Sequence, residues 1–313
     1  MFENDESMML LEFITKFAEE QKCKEYYRDI RIKEGVTCKK CKCKKHYWLS
    51  SKWQFQCSKC GFRTTLRSGT VMENSRLPYR TWFLIMLYMT GTKKGISACE
   101  LQRQLGHKRY NTIWGIMHRL RIVMGKRDAL YQLTDMVEFD EGYFEKEVSK
   151  QTKSKLKRGK GSQRQSNVAV MAESTPLENV ETGTISKHCR YFKMKVLKNH
   201  KSDEIKKVIT ESINSKTFVF SDKSKSYVDM SEYIEAHLAE KSSKETTSET
   251  LKWVHIAISN AKRNLLGVYH KIKGEYLQNY LDEFVYKLNR RNFNSIFDRL
   301  LVASVYPYWY TND

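Results

Sequence analysis

The chain has 313 residues and a formal charge of +20, with Lys and Arg outnumbering Asp and Glu by 56 to 36. A hydrophobic content of 40% with only three prolines excludes a largely disordered chain, and no run approaches the ~18 apolar residues of a membrane span. The opening MFENDESMML is acidic and then briefly apolar, unlike a secretory signal, so the expected setting is the cytoplasm. At ~100–200 residues per domain the length suits two or three domains. So basic a chain attracts phosphates, which makes nucleic acid a better expected partner than a membrane surface.

Residues 1–35 form the first segment, where Leu11, Ile14, Phe17, Tyr26 and Tyr27 fall near helical spacing. Residues 36–72 hold most of the cysteines. Cys38-x-x-Cys41 and Cys57-x-x-Cys60 are separated by fifteen residues, each pair able to bite one Zn²⁺ from a tight turn, with Gly61 supplying a turn residue after the second. The intervening HYWLSSKWQFQC reads as strands with Lys-rich turns, so a zinc ribbon is predicted. Four thiolates close the coordination sphere, which makes this metal structural. Cys43 breaks the two-residue spacing, and Cys23, Cys99 and Cys189 have no partner at ligand spacing.

Residues 73–128 are predicted helical. Ser97 is a good N-cap, Gly106 a stop, and a second helix starts at Asn111 after a short connection. Two short helices around a glycine-containing turn suit a DNA-reading helix-turn-helix. Lys108, Arg109, Tyr110, Asn111 and Arg119 are the residues expected to contact DNA there.

From about residue 132 the pattern becomes strand-like: MVEFD, SNVAVMAES, RYFKMKVL and TFVFSD, separated by polar segments. Two of these runs end on an aspartate, Asp140 and Asp222, 82 positions apart. One such aspartate commonly ends a strand because it favours turns. Two brought together at the rim of a sheet make an oxygen-ligand site for Mg²⁺, the metal of phosphate chemistry. After the first of them, Lys150, Lys153, Lys155, Lys157, Arg158, Lys160 and Arg164 form a loop without one acid, suited to clamping a phosphate backbone. Residues 250–292 return to amphipathic helix, and 296–313 are expected as a C-terminal tail.

The ordered strings CKKC, CSKCGFRTTLRSGTVMENSRLPYRTWF, KKGISACELQRQLG, VEFDEGYFE, WVHIAISNAKRNLLGVYH and YLQNYLDEFVYKLNRR resemble insertion-sequence transposases that combine a zinc ribbon with a DDE-type nuclease domain. The resemblance runs nearly end to end. It implies an α+β multidomain chain in which zinc ribbon and helix-turn-helix precede an α/β ribonuclease-H-like domain with a mixed sheet over residues 132–295. It also implies cutting at the ends of a mobile element and joining to target DNA, with double-stranded DNA as partner, self-association on that DNA, and catalytic Mg²⁺ or Mn²⁺ beside structural Zn²⁺. Asp140 would then be the bridging ligand and Asp222 the second, with Glu138 and Glu141 as substitutes.

In such enzymes a third ligand comes from a later helix, but residues 253–266 contain no glutamate. Val254, Ala257, Ile258, Ala261 and Leu265 make the apolar face of that helix, while His255, Ser259 and Lys262 share another. Asn260 lies about 140° from His255 on the helical wheel. Relatives place their glutamate seven positions before a lysine, as His255 precedes Lys262, and the family also tolerates asparagine, for which Asn260 is the candidate. His255 is preferred. Lys262 would contact phosphate near the scissile bond. Glu283, Lys287 and Arg290 share one face of the next helix, with Lys287 and Arg290 expected on DNA and Glu283 orienting Lys287 or serving as an alternative metal ligand. The competing readings are a zinc-ribbon DNA-binding regulator and an inactive transposase relative.

Overall fold

The computed structural model describes residues 10–148, 162–178, 185–199, 202–223, 227, 230–240, 243 and 249–306. The chain divides into two compact units. One joins Met1–Arg127 to Asn292–Asp313, and the other is Asp128–Arg291.

The first unit opens with helices α1 (Leu10–Lys16) and α2 (Glu20–Glu34). Leu11 and Ile14 are 79% and 48% exposed, while Phe13 and Phe17 are buried. The single helix expected here is broken after Lys16, so the inward face is the Phe13–Phe17 pair. Helix α3 (Tyr79–Gly91) contributes Phe83, whose ring centroid is 5.1 Å from that of Phe17. Chain returning from the C-terminal end completes this core. In the segment expected as a tail, Phe297 packs edge-on against Phe13 and Phe83 at 5.9 Å each, and the main-chain carbonyl of Ser304 accepts from Val71 N–H at 3.1 Å.

Between α2 and α3 lies an antiparallel three-stranded sheet of β1 (His46–Leu49), β2 (Gln54–Cys57) and β3 (Arg63–Thr65), in that order. Buried Arg31 of α2 donates to the carbonyls of Leu66 and Ser68 at 2.8 and 2.9 Å, fastening the chain that leaves this sheet. Helices α4 (Ala98–Gln104) and α5 (Tyr110–Asp128) follow as a helix-turn-helix. Ser97 caps α4 by accepting from Glu100 N–H at 3.1 Å, and Gly106 takes φ +59° in the turn.

The second unit holds β4 (Met136–Glu145), β5 (Gln165–Glu178), β6 (Ile185–Val196), α6 (Ser202–Ser212), β7 (Phe218–Asp222), β8 (Ala236–Glu240), α7 (Lys252–Tyr269) and α8 (Leu277–Asn289). The sheet order is β6-β5-β4-β7-β8, antiparallel through β6, β5 and β4 and parallel through β4, β7 and β8. It is a mixed sheet of the ribonuclease-H-like kind. Alternation along β4 sends Val137 and Phe139 to a core shared with Ile205 and Ile209 of α6. Phe144 goes to the opposite core, with Val254, Ala257 and Ile258 of α7 and Leu281 of α8. The residues of β4 that face α7 are therefore Glu138, Asp140, Gly142 and Phe144. Among the described residues, no helix is long and apolar enough to cross a membrane.

The last described helix, α9 (Ile296–Ser304), is capped by Ser295, which accepts from Asp298 N–H at 3.3 Å. Phe297→Ala should destabilise the first unit by about 3–5 kcal/mol, the usual cost of emptying a buried aromatic site. Urea unfolding followed separately in the two units checks this, and the loss is expected in the first unit alone.

Candidate active site

Parallel pairing of β4 with β7 runs from Met136↔Phe218 to Phe139↔Ser221. Asp140 and Asp222 are the next residue on each strand, so two positions far apart in sequence stand side by side on the face toward α7. Asp222 ends β7. Asp140 does not end β4, which continues to Glu145 along β5 with Asp140 opposite Val170. What ends at the aspartates is the β4–β7 seam, and there the sheet opens.

Asp140 Oδ1 accepts from Glu141 N–H at 2.7 Å, and its Oδ2 lies 3.8 Å from Nδ1 of His255. The two side chains are 18% and 36% exposed, enough to reach a ligand yet shielded from bulk water. Burial pushes the Asp140 carboxyl above the usual carboxylate range, and the neighbouring Asp222 charge adds to this, against the pull of Glu141 N–H and His255. A divalent cation would relieve that repulsion. Two carboxylates and an imidazole on one side of the sheet are donors suited to Mg²⁺ or Mn²⁺, although among the described residues only the cysteine quartet already brings its ligand atoms within 4.8 Å of one another.

His255 sits at the start of α7, where its N–H donates to Leu251 O at 3.2 Å. Leu251 has no side-chain oxygen with which to cap the helix. Its place is taken by Glu138 of β4, fully buried, whose Oε2 accepts from Trp253 N–H at 2.8 Å and Val254 N–H at 3.1 Å. Glu138 is thus engaged with helix amides. Glu141 lies on the other face of β4, where its carboxylate accepts from Asn167 Nδ2 and, at 2.9 Å, from the Tyr227 hydroxyl.

Asn260 turns to Arg263, accepting from its Nη2 at 2.6 Å. Lys262 is exposed, its Nζ 5.7 Å from the centre of the Phe144 ring. Glu283 is buried, and Tyr269 Oη donates to it at 3.5 Å. Lys287 is half-buried on the same helix.

Arg290, expected on DNA, turns into the unit. Its Nη2 and Nη1 donate to Asp128 Oδ1 and Oδ2 at 2.6 and 3.1 Å, and the guanidinium stacks 3.6 Å from the Tyr286 ring centre. Both partners are under a tenth exposed, so the charge is consumed within the unit. Arg119 is likewise engaged, donating to Glu73 O at 3.1 Å, whereas Arg109 and Asn111 are exposed at the start of α5. Lys155, Lys157, Arg158 and Lys160 lie outside the described residues.

The four cysteines converge. The Sγ atoms of Cys38, Cys41, Cys57 and Cys60 all lie within 4.8 Å of one another, with Cys38–Cys60 at 3.6 Å and Cys41–Cys57 at 3.5 Å. Thiolates tetrahedral about Zn²⁺ at ~2.3 Å stand about 3.8 Å apart, which these spacings match. The two turns repeat one geometry. Lys42 N–H donates to Cys38 O and Gly61 N–H to Cys57 O, each at 3.0 Å, and Lys42 and Gly61 take φ +59° and +68°. Burial resists ionisation of Cys38, but the N–H groups of Cys41 and Lys40 outweigh it and bring the thiol down to about 6, favouring the thiolate that a metal needs. Cys43 Sγ rests 3.8 Å from Ser58 Oγ, outside the quartet.

A mixed five-stranded sheet with paired aspartates where its central seam opens defines a ribonuclease-H-like domain, joined here to a four-cysteine ribbon. The ISXO2-like transposase domain model matches residues 132–289, half of the chain, and the chain belongs to that family. No curated protein matches it.

Two expectations follow from this geometry. Freshly purified protein should carry one zinc per chain by elemental analysis, and Cys57→Ser should lose it. Because the Asp140 carboxyl is raised in the folded chain, its ionised form at neutral pH opposes folding, and that penalty fades as pH falls through the folded value toward the unfolded one. Without added divalent cation, Asp140→Asn should therefore melt above the wild type at pH 7.5, and the gap should close as pH approaches about 4.

Proposed function

We propose that the protein is the transposase of an insertion sequence, which binds the ends of the element, cleaves DNA strands there and joins them to target DNA. One observation carries the reading: Asp140 and Asp222 stand adjacent on the catalytic face, with His255 3.8 Å from the first, inside a domain of a transposase family. Asp140, Asp222 and His255 would hold Mg²⁺ or Mn²⁺. An ion held by these residues would supply activation of a water or 3′-hydroxyl and stabilisation of the leaving oxygen of the phosphodiester.

The side chains fix what that metal meets. Asp140 and Asp222 supply negative charge, and His255 supplies a neutral nitrogen where relatives place a glutamate. One fewer anion weakens Mg²⁺ binding and moves preference toward the softer Mn²⁺. His255 is chosen over Asn260 because its ring faces Asp140 while Asn260 is held by Arg263. Lys262, exposed seven positions along the same helix face, suits a backbone phosphate beside the cleaved bond. The four cysteines would hold structural Zn²⁺, and Arg109 and Asn111 at the start of α5 would meet double-stranded DNA. Synapsis of two DNA ends calls for at least two copies of the chain.

The test is cleavage of labelled element-end DNA in Mg²⁺ or Mn²⁺. Metal-dependent nicking is expected from the wild type, with higher activity in Mn²⁺, and should disappear in Asp140→Ala and Asp222→Ala while DNA binding persists. His255→Ala should be far more damaging than Asn260→Ala. Binding without nicking in either metal would leave an inactive relative as the better reading.

A further inference from the structure

The even-numbered side of β4 meets α7 at successive points. Glu138 takes the amides of Trp253 and Val254, Asp140 faces His255, Gly142 lies under Ile258, and Phe144 lies under Lys262. Two of these contacts bracket the Asp140–His255 approach, and neither belongs to the metal site itself.

The first is a cap supplied from a distance. The opening amides of a helix have no acceptor within it, and an N-cap side chain normally provides one. Here that position is Leu251, and Glu138, more than a hundred residues earlier, serves both amides with a single buried oxygen at 2.8 and 3.1 Å. A carboxylate at a helix N-terminus also meets the positive end of the helix dipole. The contact therefore fixes where α7 starts along β4, and His255 follows within one turn.

The second is a close approach. A Cβ added at Gly142 would stand 3.0 Å from a Phe144 ring carbon and 3.3 Å from Ile258 Cγ1. Both are tighter than ordinary packing, so a side chain here would press on the Phe144 ring and on Ile258 of α7, three residues beyond His255, and these must give by a few tenths of an ångström. Glycine serves here for close approach rather than for a turn, since its φ is not positive.

We propose that Glu138 and Gly142 are positioning residues that set the distance from His255 to Asp140, one by holding the N-terminus of α7 and the other by letting the helix lie close against β4. This rests on the reading of Asp140, Asp222 and His255 as the metal site. It separates the acids of the Glu138-Phe139-Asp140-Glu141 run by task. Asp140 meets metal, Glu138 holds the helix bearing the third ligand, and Glu141 is tied to Tyr227 on the far face.

Two measurements on full-length protein test it. Amide hydrogen exchange needs no activity: Trp253 and Val254 should be protected in the wild type, lose protection in Glu138→Ala and keep most of it in Glu138→Gln, whose carbonyl oxygen still accepts. Single-turnover nicking should fall about 100-fold in Glu138→Ala, the scale of a misplacement near 1 Å, and by a smaller factor in Gly142→Ala, where the neighbours must give by only a few tenths of an ångström. Glu138→Gln should recover most of the rate, and affinity for element-end DNA should not change. Adding Glu138→Ala to His255→Ala should cost nothing further, because the glutamate acts through the histidine.

Nicking by Glu138→Ala within twofold of the wild type, or a loss that multiplies with that of His255→Ala, would overturn the proposal. So would unprotected Trp253 and Val254 amides in the wild type. If His255→Ala nicks normally, the metal-site role of His255 fails and the proposal fails with it, while protected amides would still establish Glu138 as the cap of α7.

Discussion

The register between β4 and β7 is the constraint on which the proposed metal site depends. Because parallel pairing stops at Phe139 and Ser221, the next residues bring two carboxylates together at a point where no further hydrogen-bonded neighbour closes the seam. A slip of one residue in either strand would turn its aspartate toward α6 and into the other core. The apolar residues that hold the register, Val137, Phe139 and Val219, are all buried in that core. The acids are therefore placed by packing on the opposite face of the sheet, which offsets the repulsion between them.

The second unit interrupts the first in sequence. Residues 128–291 lie between α5 and α9, and α9 returns to pack with α1 and α3. Within the second unit, Asp128 and Arg290 close the two ends with a buried bidentate ion pair, and Asn289 Nδ2 donates to the Phe192 carbonyl at 3.0 Å, fastening the C-terminal end to β6. Breaking a buried pair by removing one partner strands the other charge, so this closure is costly to lose. Arg290, which helical periodicity placed beside Lys287 as a surface cation, belongs to that closure.

Local signals in the sequence carried the parts that depend on nearest neighbours. Cysteine spacing located the quartet, Ser97 and Gly106 bounded α4, and β-branched and aromatic runs marked β4, β5, β6 and β7. Strand β8 went unread because it is an edge strand: its AHLAE shows no buried alternation, and Leu238 is half exposed. In the first helical stretch Phe17 and Tyr27 are buried where their spacing put them, but Leu11 and Ile14 are exposed and Phe13 faces inward instead, because spacing alone does not say which side of a helix meets the core. The first cysteine turn was expected from its spacing, but its left-handed residue was not, because Lys42 adopts the same conformation as Gly61 with a side chain that does not signal it. Nothing local identifies Glu138 as a helix cap either. Its partners lie 115 positions away, and only the pairing of sheet and helix brings them together.

The central claim is that Asp140, Asp222 and His255 form one divalent-metal site, and Mn²⁺ bound to the protein reports on it directly. Electron spin-echo measurements detect a nitrogen coupled to the bound Mn²⁺ when an imidazole is a ligand. The account predicts such a coupling in the wild type, its disappearance in His255→Ala with binding weakened but retained, and loss of binding in Asp140→Asn and Asp222→Asn. Mn²⁺ bound as tightly without Asp140, or a nitrogen coupling that survives removal of His255, would contradict it.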